Sequence, residues 1–273
     1  MRSKLLKLLS NILLMSLLVL VMFPFLWMLL ASFKNSSAII SWPPKVWPRE
    51  WTIENYTQVW SGIPLLKFLS NTVIFTVGVV FLSLLCDSLA GYAFARFKFK
   101  WKKQLFALVL ITMMVPFQVL MIPLFVQEYK MGILNSFAGL ILPRATSAFG
   151  IFMMRSFFLT LPRELEESGR LDGMSEFRIY WSIMMPISRP AVISLGVILF
   201  VNNWNDLIYP LMLTNSAEMR TLSAGLAMFV GDKVIAYGPI LAATVIAVLP
   251  LIILFIFLQK YFIEGISTAG MKG

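Results

Sequence analysis

Apolar residues run in long stretches along this chain instead of alternating with polar ones. Each stretch is long enough for a helix that crosses roughly 30 Å of hydrocarbon, because an α-helix rises about 1.5 Å per residue. The pattern therefore predicts an all-α membrane protein with six transmembrane helices. The predicted spans are Leu5–Phe33, Phe68–Ala95, Gln104–Val126, Ser136–Leu159, Ala191–Leu213 and Gly238–Gln259.

Composition and charge agree with a membrane protein. The 273 residues are 59% hydrophobic and 13% charged, with a mean hydropathy of +0.83, whereas a soluble domain carries about a quarter charged residues. A net charge of +10 in a soluble protein would raise the question of nucleic acid. Here 15 of the 23 Lys and Arg residues fall in segments that are internal if the N-terminus is cytoplasmic. The positive-inside rule then predicts that both termini are cytoplasmic, and no nucleic-acid partner is expected.

Several kinds of chemistry are excluded. Cys86 is the only cysteine and the chain has no histidine, which excludes an intrachain disulfide, a Cys/His metal site and a catalytic histidine. The chain also lacks a Gly-x-x-x-x-Gly-Lys-Ser/Thr phosphate loop, so it is not expected to hydrolyse ATP or to be an enzyme. Its first apolar run is too long for a signal peptide and predicts an uncleaved first span.

Two connecting segments are long enough to have a role of their own. The external segment between Lys34 and Lys67 is rich in Trp and Pro, which fits either an interfacial aromatic anchor or a docking surface for an external partner. With the first helix it forms a predicted region 1–67, followed by a helical core at 68–273. The second segment is an internal loop at about 161–189.

The internal loop carries helix signals. Pro162 suits the first turn of a helix, and the glutamates that follow it are favoured there by the helix dipole. Asp172-Gly173 signals a turn, and Ser175 begins a second short helix that ends near Pro186. The loop is therefore predicted to be two short helices on the cytoplasmic face.

The loop resembles the EAA loop of the integral permeases of ABC importers. In that pattern Glu167 matches the first glutamate, Gly173 the glycine, Ile183 the isoleucine and Pro186 the proline, with no gap. The departures are Ser168 and Gly169 for the two alanines, Met174 for a frequent alanine and Met185 for leucine. A glycine at 169 loosens a helix by roughly 1 kcal/mol relative to alanine.

Other segments extend the resemblance to the carbohydrate branch of that family. They are Ser88–Phe97, Trp204-Asn205-Asp206 with Tyr209-Pro210-Leu211, and the tail Gly265–Gly273, which resembles the ending of maltose-type subunits. The resemblance covers most of residues 68–273. It implies the type I ABC importer permease fold and the import of a sugar or oligosaccharide across the bacterial cytoplasmic (inner) membrane.

The resemblance also implies partners. Family members form a heterodimer with a second homologous permease, bind two copies of an ATP-binding subunit and receive cargo from an extracytoplasmic solute-binding protein. ATP and Mg²⁺ would be bound by the partner ATPase, with no cofactor in this chain. Glu167 would pair with a basic residue of the ATPase, and Gly173 would permit a sharp turn. The residues implied in coupling are Glu164, Glu166, Glu167, Gly169, Leu171, Asp172, Gly173, Met174 and Pro186.

Polar residues inside the predicted spans are candidates for the transport pathway, because each is costly in lipid unless it faces protein or water. Asp87 and Arg144 are expected either to pair with each other or to leave Arg144 reaching for the outer surface. Asn203 is a further polar residue of these spans, and Asp206, in the Trp204-Asn205-Asp206 motif, is expected to be structural. The candidates for the pathway are Asn71, Asp87, Arg144, Asn202, Asn205 and Tyr209.

Three alternatives differ in cargo or in mechanism. The same architecture could import glycerol phosphate or another small polar solute, although an anionic cargo would need several convergent basic groups. A secondary transporter driven by an ion gradient would show inverted repeats and broken helices, and neither is visible in the sequence. A membrane enzyme would need a metal set or paired carboxylates, which the chain does not offer convincingly.

Overall fold

The computed structural model describes residues 2–231 and 237–270, so Lys233 of the charge pattern and the last three residues of the predicted tail lie outside it. Within these ranges the fold is helical, with no strand. The helices are α1 Arg2–Ser32, α2 Ser36–Ile39, α3 Glu54–Gly62, α4 Leu65–Arg96, α5 Lys102–Thr112, α6 Phe117–Met131, α7 Phe137–Ile141, α8 Ala148–Thr160, α9 Glu164–Leu171, α10 Glu176–Ile179, α11 Met185–Ile187, α12 Arg189–Trp204, α13 Ile208–Leu213, α14 Leu222–Gly231 and α15 Tyr237–Gly270.

Three of these helices are long and apolar enough to cross a membrane by themselves. They contain the candidate spans Leu6–Ser32, Leu65–Arg96 and Tyr237–Phe257, which confirms the first, second and sixth predicted spans as continuous helices. The prolines at positions 24 and 250 lie inside α1 and α15 without ending them.

The remaining predicted spans are broken, which corrects the expectation of unbroken helices. α5 and α6 meet at 98°, and the helical segments at 137–144 and 148–160 meet at 43°. A further bend of 78°, between the segments at 176–187 and 189–204, lies before the fifth predicted span, in the predicted internal loop. If each bent pair is one span, the number of spans rises from three to six. The fifth predicted span also breaks at 205–207, between α12 and α13.

The chain divides into two compact units, which are described separately. The first comprises Met1–Leu65 and Leu226–Ile252. Its first span buries none of its apolar window against the rest of the chain. The buried Asn55 amide donates to the carbonyl oxygens of Ser32 and Lys34, each at 2.7 Å, and Ser32 Oγ lies 2.8 Å from Tyr56 Oη. These bonds fix α3 against the end of α1.

Tryptophan side chains in the Trp- and Pro-rich segment between Lys34 and Lys67 are exposed. Trp42 is 91% exposed, and Trp47 packs edge to face against Trp51 at 5.6 Å between ring centroids. Both interpretations of the segment, anchor or docking surface, stay predictions.

The second unit comprises Leu66–Gly225 and Ile253–Gly273. Its main core joins α4, α8, α10 and α12 around Tyr92, Phe158, Tyr180 and Leu195. α4 and α8 cross closely at Gly91, where a Cβ would lie 2.7 Å from Met154 Cβ and 2.8 Å from Arg155 N. Only glycine permits that approach, so the packed ends of these helices form a firm base for the internal loop.

Candidate functional site

The internal loop folds as two short helices joined by a tight turn. α9 ends at Leu171, and Gly173 then adopts a φ of +75°, a left-handed conformation that glycine reaches without strain. The Met174 N–H donates back to Gly169 O at 2.9 Å. Ser175 Oγ accepts from Arg178 N at 3.4 Å and begins α10. The predicted pair of helices, with the turn at Gly173, is therefore present.

α9 has one buried face and one exposed face. Glu166 and Gly169 are buried, while Glu164 and Glu167 are exposed. Leu171 is also apolar, and 89% of it is exposed. Met174 is half-buried, and Asp172, Gly173 and Pro186 are exposed. The loop therefore presents acidic and apolar side chains outward on a fixed base.

The buried face of α9 is held to the end of α4 by an ion pair. Arg96 Nε lies 3.2 Å from Glu166 Oε1, and the two side chains are 3% and 4% exposed. The two groups are too poorly aligned for a hydrogen bond between those atoms. Arg96 Nη2 donates to Leu161 O at 2.7 Å, and Tyr92 lies beside the same carboxylate. Glu166 thus faces its own chain, whereas Glu167 faces outward.

An exposed ion pair braces the turn between α9 and α10. Arg170 Nε and Nη2 lie 2.6 and 3.2 Å from the two carboxylate oxygens of Glu176, and both side chains are nearly half exposed. The hydrogen bond that Arg170 donates to Glu176 raises the pKa of the Arg170 guanidinium. Because the pair is exposed, it contributes little to stability and mainly restricts the turn.

Gly169 packs tightly against the second half of the loop. A Cβ there would meet Ile179 Cγ1 and Ile183 Cδ1 at 3.0 Å. Gly169→Ala gains about 1 kcal/mol of helix propensity and must displace two flexible side-chain ends by a few tenths of an ångström. We expect the stability to change by less than about 1 kcal/mol, measured by thermal unfolding in detergent. A loss of several kcal/mol would show that the isoleucines cannot move.

A second polar cluster lies within the helical bundle around Arg144. Arg144 Nη2 lies 2.5 Å from Asp206 Oδ2, and Nη1 donates to Asn203 Oδ1 at 2.9 Å. The guanidinium stacks on the Tyr209 ring at 4.0 Å and lies 5.6 Å from the Phe117 ring. Tyr209 in turn donates from its hydroxyl to Gly139 O at 2.9 Å.

Asp87 belongs to a different network. It is fully buried, and its two oxygens accept bonds from the hydroxyls of Ser83, Thr146 and Ser147 and from the Ser147 N–H, at 2.7–3.0 Å. The expected Asp87–Arg144 pair is therefore wrong. Arg144 also does not extend to the surface as an unpaired cation, because Asp206 neutralises it.

Residues 87–268 match the family described as "Binding-protein-dependent transport system inner membrane component", which covers more than half of the chain. The chain belongs to this family. This makes it a multi-pass permease of the inner membrane and not an ATPase.

Individual members of the family are similar along nearly their whole length. The arabinooligosaccharides transport system permease protein AraQ of Bacillus subtilis is 36% identical over 262 residues, 95% of this chain and 93% of the relative. AraQ of Halalkalibacterium halodurans is 35% identical over 254 residues, 92% and 91% of the two chains. A solved bacterial ABC transporter chain, involved in alginate import, matches with a TM-score of 0.84 at 23% identity and covers 95% of this chain and 97% of that one. The last likeness establishes a shared fold.

Family membership also decides between the mechanistic alternatives. A secondary transporter was expected to show inverted repeats and broken helices, and bent helix pairs are indeed present, so helix geometry does not speak against that class. The family match, and not helix geometry, excludes that class.

The other pathway candidates of this permease lie in different surroundings. Asn71 donates to the carbonyl oxygens of Glu218 and Arg220 at 2.7 and 2.9 Å. Asn202 and Asn205 are exposed, and Asn205 Nδ2 also donates to Val201 O at 3.0 Å. The structure therefore brings Arg144 and Tyr209 together and places Asn71 and Asp87 elsewhere.

Among residues 2–231 and 237–270, no group of three acidic, Cys or His side chains could hold a metal ion.

Sequence reasoning missed the residues that complete both networks. Thr146 and Ser147 were not singled out, and Phe117 was counted only as an apolar residue. Ser147 does carry a signal, because a serine three residues before Gly150 fits a helix N-cap, and its Oγ accepts from Gly150 N at 2.9 Å.

Proposed function

We propose that this chain is one of the two permease subunits of an ABC importer that carries a sugar or oligosaccharide into the cell. Its membership of the family of inner-membrane components and its likeness to AraQ proteins over nearly their whole length support this. The observation that carries the coupling part of the proposal is the internal loop, whose exposed acidic and apolar side chains stand on a buried, ion-paired base.

In this proposal the loop is the contact with a separate ATPase. Glu167 pairs with a basic group of the ATPase, and Leu171 inserts into an apolar cleft there, since both are exposed. Gly173 and Met174 shape the turn that enters the cleft. ATP and Mg²⁺ bind to two copies of that subunit, a second homologous permease completes the membrane domain, and an extracytoplasmic solute-binding protein delivers the cargo.

The topology of the proposal has six spans with both termini in the cytoplasm. The third and fourth spans are then bent helix pairs, the fifth is α12 with α13, and the helices at 176–187 belong to the coupling loop. The Arg- and Lys-rich loop at 96–103 lies on the same side as the coupling loop, as the positive-inside rule favours. In this proposal the Trp- and Pro-rich segment between Lys34 and Lys67 is extracytoplasmic, as the charge pattern predicts, and the solute-binding protein would dock there.

Co-purification tests the coupling proposal. The wild-type chain, expressed with its ATPase and second permease and extracted in detergent, is expected to retain both. Glu167→Lys reverses the exposed charge on α9 and is expected to weaken ATPase association by about tenfold or more, while the two permeases stay together. The ATPase to permease ratio after size-exclusion chromatography is the measurement.

Glu54→Lys is the matched control, because Glu54 is an exposed glutamate at the start of α3, on the proposed external side. It should leave the ratio unchanged. A wild type that never retains an ATPase contradicts the proposal.

A transport assay tests the proposed cargo. The complex in proteoliposomes with ATP and Mg²⁺ is assayed for uptake of arabinotriose, lactose and sn-glycerol 3-phosphate. Uptake of the phosphate ester alone would contradict the sugar assignment.

A further inference from the structure

Three broken helices meet at Arg144. Arg144 ends the 3₁₀ turn Leu142–Arg144, just before the break at 145–147. Its ion-pair partner Asp206 lies in the break between α12 and α13, and Phe117 is the first residue of α6, directly after the break that follows α5. One guanidinium thus contacts the interrupted regions of the third, fourth and fifth predicted spans.

The charges at this junction cancel. The Arg144 side chain is 25% exposed and the Asp206 side chain 15% exposed, so both reach an open surface while remaining in contact. Asp206 Oδ1 accepts from Tyr209 N at 3.2 Å, and its Oδ2 faces Arg144. A guanidinium has five N–H donors and a carboxylate about four acceptor positions. The bonds to Asp206, Asn203 and Tyr209 N use only part of this capacity, and the two charged groups are in direct contact.

The open surface beside the pair is polar. Asn202 lies in the last turn of α12, Asn205 is its C-cap, and Asp206 follows in the break, so three polar side chains come within five residues. Both asparagines are exposed. Exposed amides and an ion pair inside a membrane-spanning region are too costly to face lipid, so this face borders water or another protein.

We propose that Arg144 and Asp206 form a hydroxyl-binding subsite for an uncharged sugar on the wall of the transport pathway. This inference rests on the proposed function. Neighbouring sugar hydroxyls can accept from an Arg144 N–H and donate to the Asp206 carboxylate, which matches the paired donors and acceptors. Stacking on Tyr209 and the bond to Asn203 hold the guanidinium in place. Because the pair is neutral, it offers an anionic cargo no net attraction.

Asp206→Asn tests the subsite, because it retains the side-chain shape but leaves the Arg144 charge uncompensated. In proteoliposomes of the whole complex, we expect arabinotriose or lactose uptake to fall about tenfold, whereas ATPase activity stimulated by the loaded binding protein stays within about twofold of wild type. sn-Glycerol 3-phosphate is expected to inhibit the remaining uptake of the variant and not that of the wild type. Asp206→Glu should restore most of the uptake.

Glu218→Gln is the control, since it removes one acidic charge from an exposed side chain of the same unit. A parallel fall of uptake and ATPase activity in Asp206→Asn would overturn the proposal and leave the pair a structural brace. Unchanged uptake would also overturn it. If the wild type itself imports neither sugar, both the proposed cargo and the subsite are contradicted. If the wild type imports sugar normally, the Asp206→Asn result tests the subsite alone.

Discussion

Replacing Asp87 with alanine is expected to destabilise the permease by roughly 3 kcal/mol or more, because each donor that loses a buried charged acceptor costs about 1–3 kcal/mol. Asp87 is fully buried, and the hydroxyls of Ser83 and Thr146 and both donors of Ser147 bond to it. Its carboxylate joins α4 to the break before α8. Removing the carboxylate leaves these donors unsatisfied and also releases the segment at 145–147 from α4.

The single cysteine offers a direct measurement of this effect. Cys86 is half-buried beside Asp87 on α4, so a thiol-reactive fluorogenic dye reports thermal unfolding at that place in detergent. Asp87→Asn should lose less stability than Asp87→Ala, because its amide oxygen still accepts and the serine hydroxyls can rotate to accept from its amide N–H. Asp172→Ala, at an exposed aspartate, is the control. An unfolding midpoint for Asp87→Ala equal to that of the control would contradict the prediction.

The membrane class and the apolar segments are readable from the sequence, but the helix breaks are not. Apolar length identifies a span because lipid requires it, and three spans were indeed continuous. Proline is not a reliable marker of the breaks. Pro116 does lie in the break between α5 and α6, but Pro24, Pro123 and Pro250 lie inside helices, and the break at 205–207 contains no proline. What stabilises two of the breaks is tertiary, namely Asp87 bonded to Ser147 and Arg144 paired with Asp206.

The expected Asp87–Arg144 pair failed for a related reason. Charged groups inside a membrane need partners, which is why a pair was one of the two expectations for Asp87 and Arg144. A carboxylate can, however, be satisfied by hydroxyl and backbone donors, as Asp87 is by Thr146 and Ser147. Arg144 therefore pairs with a carboxylate 62 residues further along the chain. The sequence shows that Asp87 and Arg144 each need a polar partner, but only the fold shows which residue that partner is.

The internal loop was more predictable because its signals are local. Glycine at a left-handed position, serine at a helix start and acidic residues in a first turn each act within four residues. The loop signals did not show which of the adjacent glutamates turns inward. That depends on Arg96, at the end of α4 and seventy residues earlier, which lies against Glu166 and not Glu167. The functional roles of the loop residues stay predictions.

Breaking the Arg96–Glu166 pair from one side is expected to cost about 3–5 kcal/mol, because Glu166→Leu leaves a guanidinium buried without its counter-ion. The unfolding midpoint of the purified chain measures this. Arg96→Met combined with Glu166→Leu should recover much of the loss, since a buried ion pair replaced by apolar side chains of similar size is often nearly neutral. Recovery is incomplete because Leu161 O loses its donor from Arg96.

The double variant separates stability from coupling. If the ion pair makes α9 move with α4, then a folded double variant that still retains the ATPase should show a smaller increase in ATP hydrolysis when the loaded binding protein is added. The comparison is with the wild type at equal ATPase content in proteoliposomes. Full stimulation in the double variant would mean that apolar packing of α9 suffices for coupling and that the charges serve only to set its position. A double variant as unstable as Glu166→Leu would instead contradict the account of the pair as a compensated burial of charge.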